Sequence, residues 1–554
     1  MKTYAHPVYS CSVPVDQAGA PHHWPVVVAG AGPVGLCAAI DLAQRGIDVV
    51  LLDEDNTVSI GSRAICWAKR TLEILDRLGC GDRVVGKGVE WNVGRVFFRD
   101  EQVYQFDLLP ESGHRRPAFI NLQQYWVEQF LVERCEDLPQ AELRWQHKVI
   151  AVKPHPDRVA IRVASPEGEY DIHADWLIVA DGARSPIRGM LGLESEGLQF
   201  RDRFLIADVV MHSDFPTERR FWFDPPFHRH QSALLHRQAD NVWRVDFQLG
   251  PDADPDQEKK PENILPRLRA MLGDQAQFEI EWSSVYTFQC RRMRSFRHGR
   301  ALFVGDAAHL VSPFGARGAN SGIQDVDNLI WKLELVMAGQ APESLLDSYD
   351  TERTFAADEN IRHSTRSTDF ITPVNAASRA FRDAALLLAK RYEFARRLVN
   401  SGRLSTPTVL AASPLNTGDS AALPFASAVT LGAPAIDAPV KGPRGGWLLS
   451  YLDGGFTLLI FDHALPAEAV AALANDPVPC NVVQVGAASS HGTVTIEDRE
   501  RLLQARYDGK AGTCFLFRPD QHLCARWRSF DLPSVRSAIA RATSHRRDEA
   551  REAA

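Results

Sequence analysis

The chain has 554 residues, of which 45% are hydrophobic and 24% charged, enough for two or three domains and typical of a soluble globular protein. The net charge of −8 gives no reason to expect nucleic acid or an anionic membrane as a partner. Nine cysteines without C-x-x-C spacing suit reduced thiols in a cytoplasm, so neither a disulfide framework nor a metal site is expected.

The first 23 residues are a polar lead-in that need not be ordered. They lack a basic segment followed by an apolar run, which is the pattern of a secretory signal. No apolar run of the chain approaches the ~20 residues of a membrane span. These features predict a cytoplasmic protein.

A βαβ unit follows the lead-in. Val26–Ala29 is a run typical of a buried parallel strand, and a helix is predicted from Val34 to about Arg45. A second strand, Asp48–Leu52, ends at Asp53. The unit is expected to be right-handed.

Two more short apolar strands lead into polar motifs. Ala174–Ala180 precedes Asp181-Gly182-Ala183-Arg184-Ser185, and Arg300–Val304 precedes Gly305-Asp306-Ala307-Ala308-His309. Between them, from about residue 204 to 286, alternating segments predict an antiparallel sheet with one face on a core or pocket.

The last part of the chain is predicted to be helical and then α/β. Helices are expected from Ser321 to about Val399, followed by a long connection rich in Pro, Ala, Gly, Ser and Thr. Thr457–Phe461, Val482–Val485 and Cys514–Phe517 are predicted strands of a small terminal domain.

The glycine turn Gly30-x-Gly32-x-x-Gly35 predicts a dinucleotide site. Its glycines permit a tight turn and close approach of a pyrophosphate, which faces the N-terminus of the next helix. Asp53 lies 23 residues after Gly30, where a carboxylate can accept hydrogen bonds from ribose hydroxyls. The turn alone does not say which dinucleotide is bound.

The three motifs together resemble the FAD-dependent aromatic hydroxylases, single-component flavoprotein monooxygenases that include para-hydroxybenzoate, phenol and 3-(3-hydroxyphenyl)propionate hydroxylases. The resemblance extends from about Pro25 to Arg541. It implies an α/β fold with a Rossmann-like FAD-binding domain, an inserted antiparallel-sheet substrate domain and a C-terminal thioredoxin-like α/β domain. The predicted division is a lead-in (1–23), the FAD-binding domain (24–200 and 290–400, the latter with helices), the substrate domain (201–289), a linker (401–446) and the thioredoxin-like domain (447–554).

The resemblance implies a set of FAD contacts. Asp181 would touch both FAD and the reduced nicotinamide nucleotide, and Asp306 would bond the ribityl chain. Backbone N–H groups of Ala319 and Asn320 would lie near the flavin N1–O2 edge. Gln124 matches the family glutamine, with Gln123 as the alternative if the alignment slips by one. The implied FAD-binding residues are Gly30, Gly32, Pro33, Gly35, Asp53, Glu54, Arg63, Gln123, Gln124, Asp181, Gly305, Asp306, Pro313, Gly318, Ala319 and Asn320.

The family also implies the reaction. NADPH or NADH reduces FAD, and the reduced flavin reacts with O2 to give a C4a-hydroperoxide that hydroxylates a phenolic ring. The absence of a second glycine fingerprint agrees with this family, in which the nicotinamide visits the flavin without its own Rossmann domain. The expected substrate is a phenolic single-ring aromatic, with or without a carboxylate.

Catalytic candidates are His236, Arg244, Asp246, Pro313 and Arg317. Arg244 matches an arginine that contacts flavin, and a fixed cation at Arg317 would favour anionic reduced flavin. His236 or Asp246 would accept the phenol proton, although strand alternation allows either to be a solvated side chain.

Several alternatives stay open at this level. The same scaffold would suit a hydroxylase of polycyclic aromatic polyketides, or a non-catalytic FAD-binding redox protein. Trp67 would line the pocket or pack in the core. NADH or NADPH preference and oligomeric state, including a homodimer, are left undetermined.

Overall fold

The computed structural model describes residues 3–11, 21–399, 405–419, 424–486 and 492–545. The chain divides into two compact units. Unit 1 comprises Met1–Pro110, Pro117–Val326 and Ala357–Thr406, and unit 2 comprises Glu111–Arg116, Asp327–Ala356 and Pro407–Ala554. Residues 12–20 of the predicted lead-in, and 401–404 and 420–423 of the predicted linker, lie outside the described residues.

Unit 1 contains two large sheets and a small one. Its strands are β1 His22–Ala29, β2 Val49–Asp53, β3 Cys66–Ala68, β4 Val89–Trp91, β5 Val93–Phe98, β6 Glu101–Asp107, β7 Phe119–Asn121, β8 Ala141–Trp145, β9 Lys148–Pro154, β10 Val159–Ser165, β11 Gly168–Val179, β12 Ser195–Val210, β13 Arg219–Phe223, β14 Ser232–Arg237, β15 Val242–Leu249, β16 Glu279–Met293, β17 Arg297–His298, β18 Ala301–Phe303 and β19 His309–Leu310. The helices up to residue 399 are α1 Pro33–Gln44, α2 Lys69–Arg77, α3 Gly81–Lys87, α4 Gln124–Glu136, α5 Pro186–Met190, α6 Pro255–Glu258, α7 Pro261–Leu272, α8 Gly318–Met337, α9 Leu345–Ile371, α10 Ala376–Ala389 and α11 Glu393–Val399.

The first large sheet has the order β17-β18-β11-β1-β2-β8, and β9 and β10 extend from β11. Strands β18, β11, β1, β2 and β8 are mutually parallel. Parallel strands covered on both faces are apolar throughout, as in Val26–Val28, which are fully buried. Helix α1 and strand β2 lie within one residue of the predicted βαβ unit, and β1 begins four residues earlier than predicted, at His22.

The second large sheet has the order β19-β16-β12-β15-β14-β13-β5-β6 and is antiparallel except between β13 and β5. The region predicted between residues 204 and 286 supplies β13, β14, β15 and parts of β12 and β16, whereas β5, β6 and β19 come from outside it. One face carries an apolar core that includes Ala207, Leu235 and Phe247. The opposite face carries the polar side chains described below.

The start of the lead-in packs on unit 1. Tyr4 is buried, stacks on Tyr125 with ring centroids 4.2 Å apart, and donates a hydrogen bond to Gln129 Oε1 at 2.8 Å. Tyr9 stacks on Trp145 at 4.4 Å. Residues 3–11 are therefore ordered, because aromatic side chains within a polar segment find apolar partners.

Unit 2 is a mixed α/β unit, and with unit 1 it confirms the predicted α/β class. Its sheet has the order β22-β21-β20-β23-β24, with β20, β21 and β22 parallel and β23 and β24 antiparallel to their neighbours. Both faces are buried, because alternate residues of β20 enter two separate apolar cores. The remaining elements are β20 Phe456–Phe461, β21 Cys480–Val485, β22 Val494–Ile496, β23 Cys514–Phe517, β24 Leu523–Trp527, α12 Ala467–Ala474, α13 Leu502–Tyr507 and α14 Leu532–Ala542.

A buried ion network lies inside unit 2. Glu352 accepts from Arg518 at 2.6 Å and from Lys332 at 2.8 Å, and Arg518 also pairs with Asp520 at 2.5 Å. All four side chains are at most 1% exposed. Two cations and two carboxylates cancel, and the cations hold the pKa of Glu352 well below its usual value.

We expect Glu352→Gln to destabilise the protein by about 3–5 kcal/mol, because it leaves an uncompensated positive charge in the core. A carboxyl with a lowered folded-state pKa stabilises above its unfolded pKa of about 4.3, and that contribution is lost as the pH falls. The difference between variant and wild type should therefore narrow below about pH 4. Urea unfolding midpoints, with hydrogen exchange of β23 to locate the change, measure this effect.

Asp358→Asn is the matched control, because Asp358 pairs with Arg292 at the surface of unit 1, where the two side chains are 48% and 24% exposed. Its cost should stay below about 1 kcal/mol. Equal stability of the Glu352 variant and wild type would contradict the prediction.

Candidate active site

The three sequence motifs converge at one edge of the parallel sheet. Strands β1, β11 and β18 are adjacent and parallel, with Ala29 opposite Val179 and Val179 opposite Phe303. Each motif begins within two residues of these positions, so all three lie at the carboxyl ends of neighbouring strands. Loops at this edge are the usual ligand site of open α/β sheets.

The glycine turn is shaped by close backbone contacts. Gly30 has φ +107°, and a Cβ there would lie 2.4 Å from the Ala180 carbonyl oxygen. A Cβ on Gly35 would lie 1.9 Å from the Gly30 oxygen. A Cβ on Gly32, by contrast, would meet nothing within 4 Å. Gly32 caps α1, no side chain caps that helix, and Pro33 is its first residue, so the helix N-terminus faces open space that suits a phosphate.

The two acids at the end of β2, Asp53 and Glu54, differ in their surroundings. Asp53 accepts hydrogen bonds from the N–H groups of Ala31 and Asp55, and burial raises its pKa to about 6. Asp53 thus fixes the glycine turn and retains lone pairs for a ribose hydroxyl. Glu54 is exposed and pairs with Lys148 at 2.7 Å, so its predicted contact with FAD stays a prediction.

Asp181 and Asp306 offer free acceptor atoms at the same edge. Asp181 Oδ2 accepts from the Ile187 N–H at 3.1 Å, while its buried Oδ1 has no hydrogen-bond partner within the described chain. Asp306 is exposed to solvent in part, yet desolvation by the surrounding protein raises the pKa of its carboxyl group. Both features suit a carboxylate in a recess that awaits hydroxyl donors. Asp325 holds the loop by accepting from the Gly305 N–H at 2.9 Å and contacting His309 Nε2 at 2.7 Å.

Gln124, rather than Gln123, contacts the Arg63 loop. Gln124 Oε1 accepts from the Ala64 N–H at 3.0 Å. Gln123 is fully buried and donates to the Ala239 carbonyl at 3.2 Å. The Arg63 side chain is exposed. This geometry favours the first of the two alignments, although the role of either glutamine stays a prediction.

The loop before α8 carries Arg317 and Asn320. Arg317 is buried and donates to Asn360 Oδ1 at 2.8 Å, and burial lowers its pKa to about 10, so it remains a cation at neutral pH. Asn320 Oδ1 accepts from the Ala68 N–H at 2.9 Å, and its amide donates to the Cys66 carbonyl at 2.9 Å. Pro313 is exposed, and Gly318 and Ala319 begin the helix.

A row of polar residues crosses one face of the antiparallel sheet. His236 is opposite Arg244, and Arg244 is opposite Asp208. Arg244 pairs with Asp246 at 2.8 Å and donates to the Ser62 carbonyl at 2.6 Å. Arg244 therefore joins this sheet to the loop that precedes Arg63, and it holds the pKa of Asp246 well below its usual value.

His236 is 1% exposed, and Nε2 lies 3.5 Å from Asp246 Oδ2, at the limit of a hydrogen bond. Burial, with help from Arg219, lowers its pKa to about 4. The imidazole is consequently neutral at pH 7 and can accept a proton. Asp246 is ionised but already bound to Arg244, so His236 is the better acceptor of the two candidates.

An apolar cavity of ≈ 60 Å³ adjoins the loop that contains Phe314 and Gly315. Its lining is mostly aromatic and includes Phe221, Phe223 and Phe370. Engineered cavities of about 150 Å³ admit benzene. The space therefore suits one ring at most, and only if a lining side chain moves.

Sequence reasoning missed several residues on the polar face of the antiparallel sheet. Arg219 lies on β13 and Asp208 on β12, and both are buried. The available signal was alternation, because Arg219 has the same parity as Phe221 and Phe223 in Arg219-Arg220-Phe221-Trp222-Phe223. Trp67 is fully buried and donates to the Leu122 carbonyl at 2.8 Å, so it packs in the core.

The described residues contain no helix long and apolar enough to cross a membrane. Over those residues, no group of three or more His, Cys, Asp or Glu side chains has the geometry to hold a metal ion. All nine cysteines are free thiols. His228, between β13 and β14, has its Nε2 atom 2.6 Å from the Gln248 carbonyl oxygen.

Comparison with known proteins extends these observations. The family model described as FAD binding domain matches residues 23–364. A 3-(3-hydroxy-phenyl)propionate/3-hydroxycinnamic acid hydroxylase of Mycolicibacterium smegmatis is 26% identical over 535 residues, 93% of this chain and 92% of the relative. The protein of the same name from Klebsiella pneumoniae (strain 342) is 31% identical over 377 residues, 67% of each chain. The crystal structure of the flavin-dependent monooxygenase PieE in complex with FAD and substrate matches with a TM-score of 0.78 and 21% identity, over 95% of this chain and 100% of that one.

Proposed function

This chain belongs to the FAD binding domain family and is an FAD-dependent aromatic hydroxylase, and we propose that it hydroxylates a phenolic single-ring substrate with NAD(P)H and O2. The observation that carries the proposal is the small aromatic cavity beside Phe314 and Gly315, next to the loop expected to hold the flavin. Two relatives bear names that specify single-ring phenolic acids.

The residues at the carboxyl edge fit FAD. The open space at Gly32 and the uncapped start of α1 suit the pyrophosphate. The buried Oδ1 of Asp181, which has no partner within the described residues, and the exposed carboxyl of Asp306 can accept hydrogen bonds. Ala319 and Asn320 would place N–H groups at the pyrimidine edge, with Arg317 as a buried cation. When bound, FAD would take electrons from NAD(P)H and supply activated oxygen to the ring.

The protein's own part is to bind, orient and deprotonate the phenol. A ring in the cavity would present its hydroxyl toward the polar row, where neutral His236 would accept the proton at Nε2 or Nδ1. Arg244 would keep Asp246 ionised and in place, because the pair is buried and shares a 2.8 Å contact. The aromatic lining would exclude water from the reacting ring.

The test is NAD(P)H oxidation by the purified yellow holoprotein, with a panel of phenolic acids, simple phenols and a tetracyclic polyketide. We expect a single-ring phenol to stimulate oxidation and to yield a product with one added oxygen by mass. Stimulation by the polyketide alone would favour the wider-pocket alternative. Flavin binding without stimulation by any member would instead support a non-catalytic FAD-binding protein.

A further inference from the structure

Arg219 is a buried cation that lies over the rings of Phe221 and Trp91 and has no carboxylate partner within the described residues. It is 4% exposed, and its Nε and one terminal nitrogen have no hydrogen-bond acceptor within the described residues. The carboxylates nearby are already used. Glu218 accepts from Arg95 at 2.6 Å and from Arg220 at 2.8 Å, and Asp246 binds Arg244.

The charges that face Arg219 do not cancel it. Arg244 and Asp246 neutralise each other, His236 is uncharged at pH 7, and Cys66 is a thiol whose pKa burial raises. Asp208 lies three strands away in the order β12-β15-β14-β13, about 14 Å at the usual strand spacing. One positive charge is therefore left over on this part of the sheet.

The guanidinium lies next to the aromatic cavity. Its central carbon is 4.7 Å from the ring centroid of Phe221, and Phe221 lines the cavity. His236 follows on the neighbouring strand β14, on the same face. Neither Arg219 nor His236 lines the cavity itself, so a substituent on a ring in the cavity would have to extend beyond the lining to reach either side chain.

Burying an unpaired charge is costly, so the guanidinium of Arg219 would be stabilised by an anion that the described residues do not supply. We propose that Arg219 binds the carboxylate of a carboxylated phenol whose ring occupies the cavity, which makes the substrate class a phenolic acid. This inference rests on the proposed function. A planar guanidinium binds a carboxylate through two parallel hydrogen bonds, whereas a phenolate offers one oxygen.

The experiment titrates the FAD-bound protein with two phenolic acids and their methyl esters, following flavin absorbance. The probes are 3-(3-hydroxyphenyl)propionate and 3-hydroxybenzoate. Wild type should bind at least one acid more tightly than its ester. Arg219→Met should weaken binding of that acid by roughly 10- to 100-fold and change ester binding by less than about threefold. The affinity of Arg219→Lys for the acid should lie between those of wild type and Arg219→Met, since lysine keeps the positive charge but cannot donate two parallel hydrogen bonds.

Arg220→Met is the matched control. Arg220 is the next residue on the same strand, pairs with Glu218 and lies over Phe215, so it faces away from the cavity. Its affinity for both acids should equal that of wild type. Equal affinity of wild type for acids and esters overturns the proposal, and so does an equal loss for acid and ester in Arg219→Met.

A second measurement needs no substrate. If Arg219 is held ready for an anion, Arg219→Met should raise the thermal unfolding midpoint of the ligand-free holoprotein, because it removes an unpaired buried charge. A lowered midpoint would indicate a structural role and count against the proposal. If wild type binds the acid but no phenol stimulates its NAD(P)H oxidation, the proposed function is refuted while the anion site at Arg219 is still supported.

Discussion

Gly32→Ala should weaken FAD binding by about 10- to 100-fold while leaving the protein folded. The added methyl group meets no protein atom within 4 Å, and Gly32 has φ −71° and ψ 177°, which alanine adopts without strain. The methyl would instead enter the space at the start of α1 where the pyrophosphate is expected, and overpacking of that kind costs about 1–3 kcal/mol. Flavin content after gel filtration and FAD titration of the apoprotein measure the effect.

Alanine variants of two other glycines serve as comparisons for Gly32→Ala. Gly86→Ala is the matched control, because a Cβ there also meets nothing within 4 Å, and it lies in α3 away from the glycine turn. Gly35→Ala should disturb the fold of the turn as well as FAD binding. Its Cβ would be 1.9 Å from the Gly30 oxygen, so the backbone would have to shift. Unchanged FAD affinity in Gly32→Ala, with a folded protein, would remove the pyrophosphate from this position.

The strands and motifs of the parallel sheet were predictable because they depend on local sequence. The run Val26–Ala29 and the motifs at Asp181 and Gly305 each combine an apolar strand with a turn, so pattern alone places them at strand ends. The convergence of the three motifs follows once the strands are parallel and adjacent. Family resemblance then supplied the cofactor, which no spacing gives.

The pairing of side chains across strands was not predictable in the same way. Whether His236 or Asp246 is free to accept a proton depends on Arg244, which reaches both Asp246 and the Ser62 carbonyl across the fold. The free charge on Arg219 depends on Glu218 being taken by two other arginines. Which partner a charged side chain takes depends on strand register and packing, and the identity of a single residue does not reveal it.

Unit 2 illustrates the same limit. Three of the five strands of its sheet, β20, β21 and β23, were predicted within one or two residues, whereas β22 and β24 were not predicted. The ion network of Glu352, Lys332 and Arg518 joins segments more than 160 residues apart. Each of these residues has an ordinary polar identity in the sequence. Only the tertiary structure reveals that they are fully buried and mutually neutralised.

His236→Gln should lower kcat for phenol hydroxylation by about 10²- to 10⁴-fold at pH 7, because it removes the neutral base proposed to accept the phenol proton. The folded-state pKa of His236 is about 4, below its usual value, so the imidazole is in its accepting form above that pH. The wild-type rate should therefore be level from about pH 5 upward. The variant rate should rise with pH as the phenol, with a pKa near 10, ionises in solution. Initial rates of product formation across pH 5–9 measure both profiles.

The comparison that isolates this role is His228→Gln. His228 lies in the same sheet domain and also has a lowered pKa through burial, but it bonds the Gln248 backbone carbonyl at 2.6 Å. That variant should keep the wild-type kcat and pH profile, and both variants should retain FAD. A His236 variant with kcat within threefold of wild type, or with an unchanged pH profile, would reassign proton acceptance. The remaining acceptors on this face would then be Asp208, whose pKa burial raises to about 7, and Asp246, which would have to give up its contact with Arg244 as the phenol binds.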